Sequence, residues 1–240
     1  MKTKNLIIVG DSSFAEVAYE YFTHDSEYRV VAFAVEREHL RRSALFGLPV
    51  VALDELVAKY TPRDHDVFVA IVYSQLNRLR TRLYEGVKRM GYSCARYISS
   101  RAFVWPNVHL GEHCFVFEGN VIQPFVEIGN NVILWSGNHV GHHSLIEDHC
   151  FIASHVVISG HCRIGKYCFL GVNSTLGNNV TLGADTVVGA AALILKSVDG
   201  GHIYASAATG PSKVTTRHYY KLHQGDSESV VRKDDYGAEE

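Results

Sequence analysis

The sequence lacks both a long apolar run and an excess of charge of one sign. Apolar stretches such as residues 30–35 are far too short to cross a membrane, and residues 1–5 lead into a strand-like run rather than a signal-peptide core. Lysine and arginine total 23 against 25 acidic residues, so the net charge of -2 provides no basic surface for nucleic acid. We therefore expect a cytoplasmic protein that binds neither a membrane nor nucleic acid.

Two common cofactor motifs are also missing. None of the five cysteines forms a CxxC pair, which argues against a zinc ribbon or a redox motif. The turn after the first predicted strand has Gly10 as its only glycine, so the GxGxxG fingerprint of dinucleotide-binding proteins is absent. Dinucleotide binding is therefore not supported.

What the sequence does contain is an uninterrupted period of six residues. One buried aliphatic per hexad is typical of a parallel β-helix, in which three hexads form one triangular coil. Residues three hexads apart then stack at about 4.8 Å, the spacing between neighbouring strands. All 16 consecutive hexads open with an aliphatic residue: Val104, Leu110, Val116, Ile122, Ile128, Leu134, Val140, Ile146, Ile152, Ile158, Ile164, Leu170, Leu176, Leu182, Val188 and Ile194.

The other hexad positions have their own preferences. The position four after the aliphatic is mostly small or β-branched, and it includes four of the five cysteines, which we interpret as buried small apolar side chains. Glycine often follows the aliphatic directly, as at Gly141 and Gly171, and we expect a turn with positive φ there.

The first hundred residues predict a small α/β unit. Apolar strands at residues 5–9, 29–35, 48–51, 66–72 and 94–98 alternate with helices at about 14–24, 54–60 and 77–90, which indicates a parallel sheet covered on both faces. Its ligand crevice should lie at the carboxyl ends of the strands. Candidate substrate contacts there are Gly10, Asp11, Ser12, Ser13, Glu36 and Tyr73. Asp11 and Ser12 are equally suited to capping the first helix.

The chain therefore divides into an α/β unit at 1–100 and a β-helix at 101–198. Residues 199–222 are expected to form a turn, a short strand at 203–205, a loop and a short helix at about 214–222. Residues 223–240 are polar and acidic, and we expect them to be disordered.

Histidine is enriched in the β-helix, and residues 135–143 are unusually dense in polar and aromatic groups. Most outward histidines on such a coil are solvated surface residues. A histidine can also act as the base in an acyl transfer, if a donor stabilises the oxyanion that forms. The position three hexads after His142 is Gly160, whose N–H should be approachable. The period therefore pairs His142 as base with Gly160 as oxyanion donor.

The chain resembles the bacterial hexapeptide-repeat sugar acyltransferases, which include sialic acid O-acetyltransferase and bacillosamine N-acetyltransferase. The resemblance covers nearly all of residues 4–215 and is most specific in residues 140–152, 158–166 and 168–174. It implies a left-handed β-helix preceded by a Rossmann-like α/β unit. The left-handed coil is an exception to the rule that crossovers between parallel strands are right-handed. It also implies a homotrimer with active sites between subunits, a nucleotide-linked sugar on the N-terminal unit, and acyl-CoA along the β-helix.

The resemblance assigns roles to individual residues. The family's catalytic histidine falls on His142 and its glycine at the acyl carbonyl on Gly160, whereas the usual carboxylate after the histidine is replaced by His143. Either another carboxylate (Glu118, Glu147 or Asp148) orients the base across the trimer, or the base works without one. An acidic residue after the second strand, here Glu36, would bind the nucleotide. Implied coenzyme contacts are Gly160, Gly171, Gly189, Ala190 and Lys213.

The function predicted from the sequence is acetyl transfer from acetyl-CoA to an amino group of a nucleotide-linked sugar in surface polysaccharide (O-antigen) biosynthesis. Attack on the thioester should be direct, because the cysteines point inward. An O-acetyltransferase acting on a sugar hydroxyl is the close alternative, and a non-catalytic β-helix scaffold is a further one. A metal cofactor is not expected, because it would need three converging histidines, and the adjacent His142 and His143 should diverge.

Overall fold

The computed structural model describes residues 2–221. The N-terminal part is a six-stranded sheet in the order β3-β4-β2-β1-β5-β6. Its pairs are parallel except β3–β4, which is antiparallel. The strands are β1 Lys4–Val9, β2 Tyr28–Val35, β3 Ala44–Leu45, β4 Leu48–Ala52, β5 His65–Val69 and β6 Ser93–Cys94. The helices are α1 Ser13–His24, α2 Leu56–Lys59 and α3 Arg78–Arg89, with 3-10 turns at Arg37–His39 and Leu53–Glu55.

Two details of this unit differ from the sequence-based prediction. The short edge strand β3 was missed, because two residues are too few to show a period. The predicted strand at 94–98 is in fact two strands, β6 in the α/β sheet and β7 (Tyr97–Ile98) in the β-helix. Ile98 stands one hexad before Val104, so the hexad register begins one hexad earlier than predicted.

The remaining strands build the predicted parallel β-helix. Each strand has two residues and pairs in parallel with the strand three hexads further on, as Val140 does with Ile158. The strands are β8 Phe103–Val104, β9 His109–Leu110, β10 Phe115–Val116, β11 Val121–Ile122, β12 Glu127–Ile128, β13 Ile133–Leu134, β14 His139–Val140, β15 Leu145–Ile146, β16 Phe151–Ile152, β17 Val157–Ile158, β18 Arg163–Ile164, β19 Phe169–Leu170, β20 Thr175–Leu176, β21 Thr181–Leu182, β22 Val187–Val188, β23 Leu193–Ile194 and β24 Ile203–Tyr204.

These strands form three faces. The first face runs from β7 through β10, β13, β16, β19 and β22 to β24; the second comprises β8, β11, β14, β17, β20 and β23; the third comprises β9, β12, β15, β18 and β21. Inside, the aliphatic ladder and the small positions form one continuous core. Cys114, Cys150, Cys162 and Cys168 are buried in it as free thiols, as the period predicted.

The turn chemistry differs from the prediction. Positive φ occurs at the third position after the aliphatic, not the first, for instance at His143 (59°) and Asn173 (58°). The glycines that follow the aliphatic are required by close packing between coils, because a Cβ on Gly141 would lie 2.5 Å from the Gly160 nitrogen. Backbone proximity, rather than a left-handed conformation, therefore selects glycine at that position.

This turn geometry also explains most of the histidine enrichment. Asparagine, aspartate and histidine tolerate the left-handed region better than other non-glycine residues. Five histidines occupy the left-handed turn position: His113, His143, His149, His155 and His161. His142 does not occupy it, so turn conformation gives no reason for a histidine there.

The α/β unit packs on the outer side of the first face through an aromatic layer. Phe14 and Phe22 of α1 contact Phe115 of β10, with ring centroids 5.7 and 5.6 Å apart. Trp135 stacks on Phe117 at 4.5 Å in the same cluster. The alternating aromatic residues of the first face are thus buried, which fixes the sheet of the α/β unit beside the coil.

A second compact unit begins at Ala207. Its helix α4 covers Thr216–Tyr219, shorter than the predicted 214–222, and the Thr215 side chain accepts a hydrogen bond from the His218 N–H at its start. Leu222 and the predicted disordered tail 223–240 lie outside the described residues. Within residues 2–221, no helix is long and apolar enough to cross a membrane.

Candidate active site

His142 lies on the corner that follows the second face, and its ring covers Gly160 in the next coil. A Cβ on Gly160 would lie 3.0 Å from both Cε1 and Nε2 of His142, so the ring rests directly on the glycine. The His142 side chain is exposed, and its backbone N–H donates to Oε1 of Gln123 at 2.9 Å. At this corner an accessible imidazole therefore lies directly against the backbone of Gly160.

The Gly160 N–H is not free, contrary to the expectation from the sequence. It donates to Oδ1 of Asn178, one coil further on, at 3.0 Å. Asn178 is exposed, whereas Gly160 is buried beneath the His142 ring. Sequence reasoning missed Asn178, although the period places it directly above Gly160.

The sequence predicts that the side chains of His142 and His143 diverge, but in the structure they meet. The two Nδ1 atoms are 3.1 Å apart, so one ring donates to the other. His143 belongs to a column of turn residues one coil apart: its ring stacks on Phe125 at 4.6 Å and on His161 at 4.9 Å. This stacking directs the His143 ring toward His142, and His161 is a second residue that sequence reasoning missed.

The three carboxylates considered as orienting groups have other partners. Glu118 accepts hydrogen bonds from Tyr21 (2.7 Å) and Ser136 (2.6 Å). Asp148 accepts from the Asn130 backbone at 2.8 Å and pairs with Lys166 at 3.2 Å. Glu147 pairs with Arg163. In the described chain, His143 therefore occupies the place beside His142 that a carboxylate has in the resembling family.

The rest of the dense 135–143 segment is structural. Trp135 belongs to the aromatic layer, and Ser136 holds Glu118. Asn138 is buried and its Oδ1 accepts the Val156 N–H at 2.7 Å. His142 and His143, at the end of the segment, are its exposed histidines.

The candidate substrate residues of the α/β unit lie at the predicted carboxyl edge. Gly10 has φ 120° and passes so close to β5 that a Cβ would lie 2.9 Å from the Ala70 carbonyl oxygen, a structural reason for this glycine. Ser12 is the N-cap of α1, and within the described contacts its side chain makes no capping hydrogen bond. The Ser12 and Ser13 side chains are exposed at the helix start, whereas Asp11 faces Arg42 at 3.4 Å.

Glu36 and Tyr73 are engaged differently from the expectation. Glu36 accepts two hydrogen bonds from Arg82 (2.6 and 2.8 Å), and these bonds lower the pKa of its carboxyl group. A nucleotide contact through Glu36 would have to compete with this pair. Tyr73 is 51% exposed and packs on Phe151 and Phe169 of the first face, so it lines the boundary between the two parts of this unit.

Of the implied coenzyme contacts, Gly160 lies beneath His142, whereas the others do not share its corner. Gly171, Gly189 and Ala190 cluster at the corner that follows the first face, where a Cβ on Gly171 would lie 2.6 Å from the Ala190 nitrogen. These glycines are explained by coil packing. Lys213 is exposed and belongs to the unit that begins at Ala207.

A buried polar network connects the α/β unit to the coil. The fully buried Arg80 donates to the carbonyl oxygens of Val72 (2.6 Å) and Cys150 (3.2 Å) and to Oδ1 of Asn131 (2.9 Å), and burial lowers its pKa to about 9. The loop it holds carries three successive left-handed residues, 75–77. Sequence reasoning missed Arg80, because a helical arginine usually lies on the solvent side.

His113 belongs to the same network. Its Nε2 accepts the Val69 N–H at 2.7 Å, so the ring proton is on Nδ1, which lies 2.9 Å from Oδ1 of Asn131. Desolvation lowers the pKa of His113 to about 3. The ring is therefore a neutral structural link between the α/β unit and the coil.

Comparisons with known proteins agree with this architecture. Residues 5–87 match the PglD N-terminal domain, and residues 125–160 match the bacterial transferase hexapeptide repeats. The perosamine N-acetyltransferase PerB from Caulobacter crescentus, solved with CoA and GDP-perosamine, is 28% identical, with a TM-score of 0.74 over 84% of this chain and 94% of that one. A histidine-to-asparagine variant of that enzyme, with the same ligands, has a TM-score of 0.75 at 28% identity, over 84% of this chain and 93% of that one.

A third structure supports the fold alone. The acetyltransferase domain of PglB from Neisseria gonorrhoeae is 24% identical, with a TM-score of 0.76 over 85% of this chain and 97% of that one. No curated protein matches the sequence.

The α/β unit and the hexapeptide coil together define a left-handed β-helix acyltransferase. The two matched domain families and these structural relatives support the prediction from the sequence that the chain is a bacterial hexapeptide-repeat sugar acyltransferase.

Proposed function

We propose that this chain transfers an acetyl group from acetyl-CoA to an amino group of a nucleotide-linked amino sugar. The observation that carries the proposal is the exposed His142 imidazole resting on Gly160, at a position where turn geometry does not call for histidine. The relatives solved with CoA and GDP-perosamine support both co-substrate classes. A surface polysaccharide as the destination of the product stays a prediction.

His142 is the general base in this proposal. In this proposal the Nδ1–H of His142 donates to Nδ1 of His143, which leaves the Nε2 lone pair to accept the proton of the attacking amine as the C–N bond forms. Acetyl-CoA supplies the activated acyl carbon, and the imidazolium returns the proton to the thiolate when the C–S bond breaks. The Gly160 N–H stabilises the oxyanion after releasing Asn178.

The substrate nucleotide is proposed to lie at the carboxyl edge of the α/β sheet. The start of α1 offers backbone N–H groups and the exposed hydroxyls of Ser12 and Ser13, a suitable anion site for a diphosphate. Tyr73, at the boundary with the coil, would lie between this site and the sugar.

We further propose a homotrimer in which the second faces meet. The outward residues of that face include Phe103, Val121, Val157 and Leu193, which are 36–61% exposed in the single chain. Burying such an apolar row is favourable, at about 25 cal/mol per Å². Because the coenzyme candidates Gly171, Gly189 and Ala190 lie on another corner than His142 and Gly160, a complete site would need a neighbouring subunit.

The proposal is tested by following thiol release from acetyl-CoA with a panel of UDP-, dTDP- and GDP-linked sugars. An amino sugar should be turned over, and His142→Ala should lower kcat about 10²- to 10⁴-fold without a loss of folding. Turnover of a hydroxyl sugar instead would identify an O-acetyltransferase. Activity of His142→Ala equal to that of the wild type would refute the role of the base.

A further inference from the structure

We propose that His142, His143 and His161 form a binding site for a borderline divalent cation such as Zn²⁺, and that the cation inhibits the enzyme. One ring nitrogen from each histidine lies within 4.8 Å of the others. Binding of the cation requires neither acetyl-CoA nor the sugar, but its inhibitory effect rests on the proposed role of His142.

The distances suit a tetrahedral ion. Zn–N bonds of about 2.0–2.1 Å place two ligand nitrogens about 3.3 Å apart. The Nδ1 atoms of His142 and His143 are already 3.1 Å apart, which is close to this spacing, so an ion can bridge them once both rings turn their lone pairs toward it. The ion would replace the proton that the two nitrogens now share.

The third ligand is held in place by stacking. His161 lies nearly parallel to His143, at 16° and 4.9 Å, and nearly perpendicular to His142, at 89° and 5.0 Å. All three side chains are exposed, so an ion reaches them from solvent and water completes its coordination. Imidazole ligands favour Zn²⁺, Ni²⁺ and Cu²⁺ over Mg²⁺.

Coordination would remove the base whichever nitrogen of His142 is used. An ion on Nε2 blocks the acceptor directly. An ion on Nδ1 forces the ring proton onto Nε2, which then has no lone pair for the attacking amine. A histidine in place of the carboxylate thus makes the base sensitive to metal.

The test uses the full chain with any affinity tag removed, and measures Zn²⁺ binding by equilibrium dialysis at pH 7.5. His161→Asn should weaken Zn²⁺ binding at least about tenfold, since it removes one of three ligands. Asparagine tolerates the left-handed turn at position 161, so the variant should fold, which its thermal unfolding midpoint verifies. The matched control is His155→Asn, at the same turn position but outside the cluster.

A second readout links the ion to activity. Micromolar Zn²⁺ should inhibit acetyl transfer by the wild type, EDTA should reverse the inhibition, and Mg²⁺ should have no effect. His161→Asn should need at least about tenfold more Zn²⁺ for half-inhibition, whereas His155→Asn should behave like the wild type.

The outcomes separate this inference from the proposed function. Equal Zn²⁺ affinity in the wild type and His161→Asn, or no Zn²⁺ binding below millimolar concentrations, overturns the site whether or not the protein is active. Zn²⁺ binding that depends on His161, in a protein that acetylates no sugar, leaves the site standing and overturns the proposed function.

Discussion

Replacing Gly160 by alanine tests the contact on which the proposed active site depends. The added Cβ would lie 3.0 Å from Cε1 and Nε2 of His142. Gly160 lies outside the left-handed region, so alanine strains no backbone angle there. The substitution therefore perturbs the position of the imidazole more than the fold.

The size of the effect follows from the distance. Carbon atoms in contact prefer about 3.5–4.0 Å, so the imidazole would move by roughly 0.5 Å or more. A misplacement of about 1 Å can cost about 10²-fold in rate. We expect kcat to fall about 10-fold in Gly160→Ala. The change in KM should be small, because Gly160 would contact the acetyl-CoA through its backbone N–H, which alanine keeps.

The assay is steady-state thiol release with the sugar nucleotide identified in the screen. The double variant His142→Ala/Gly160→Ala should be no slower than His142→Ala alone, since the added methyl group acts through the base. Gly177→Ala is a suitable control, because the nearest atom to its Cβ would be the flexible end of Leu195 at 3.3 Å, and the backbone atoms of Ile194 and Leu195 would lie at ordinary contact distances of 3.6–3.7 Å. Wild-type kcat in Gly160→Ala, or a further loss in the double variant, would refute the reasoning.

Three further predictions follow from the polar contacts. His143→Asp should raise kcat about 3- to 10-fold, because a carboxylate hydrogen bond to the imidazolium is about twice as strong as a neutral one; a lower kcat would contradict this role. A second prediction concerns the pH dependence of stability. In the unfolded chain His113 binds a proton below the usual histidine pKa of 6.5, whereas in the folded protein its pKa is lowered to about 3 and it stays neutral. The free energy of unfolding should therefore fall by about 1.4 kcal/mol per pH unit as the pH drops from 6.5 toward 3. Urea unfolding of His113→Gln should give a free energy of unfolding that depends less steeply on pH than that of the wild type. Arg80→Met should cost about 3 kcal/mol or more in urea unfolding, since several buried carbonyls lose their donor; unchanged stability would contradict the network.

The period was sufficient to predict the architecture, because burial in a β-helix repeats strictly with the strand spacing. It placed the cysteines inside and brought His142 into register with Gly160 before any contact was known. The prediction that the glycines after the aliphatic residues adopt positive φ was wrong. Positive φ and close backbone approach both select glycine, so a sequence does not distinguish them. Only the backbone angles show that the left-handed position lies two residues later, where histidine and asparagine prevail.

The candidate site was predictable in part. Sequence spacing names the coil and the corner on which a residue lies, but not the rotamer or the partner of its side chain. The Gly160 N–H bond to Asn178, the pairing of Glu36 with Arg82, and the burial of Arg80 all depend on neighbours far away in sequence.

The sequence by itself thus determined the coil, its core and the position of one exposed histidine, because each follows from a local repeat. The tertiary structure decided what surrounds that histidine. His143 turns toward His142 because it is stacked between Phe125 and His161, in coils before and after it. That stacking depends on side chains three hexads apart meeting across coils, so it gives His142 an imidazole partner and creates the three-histidine cluster.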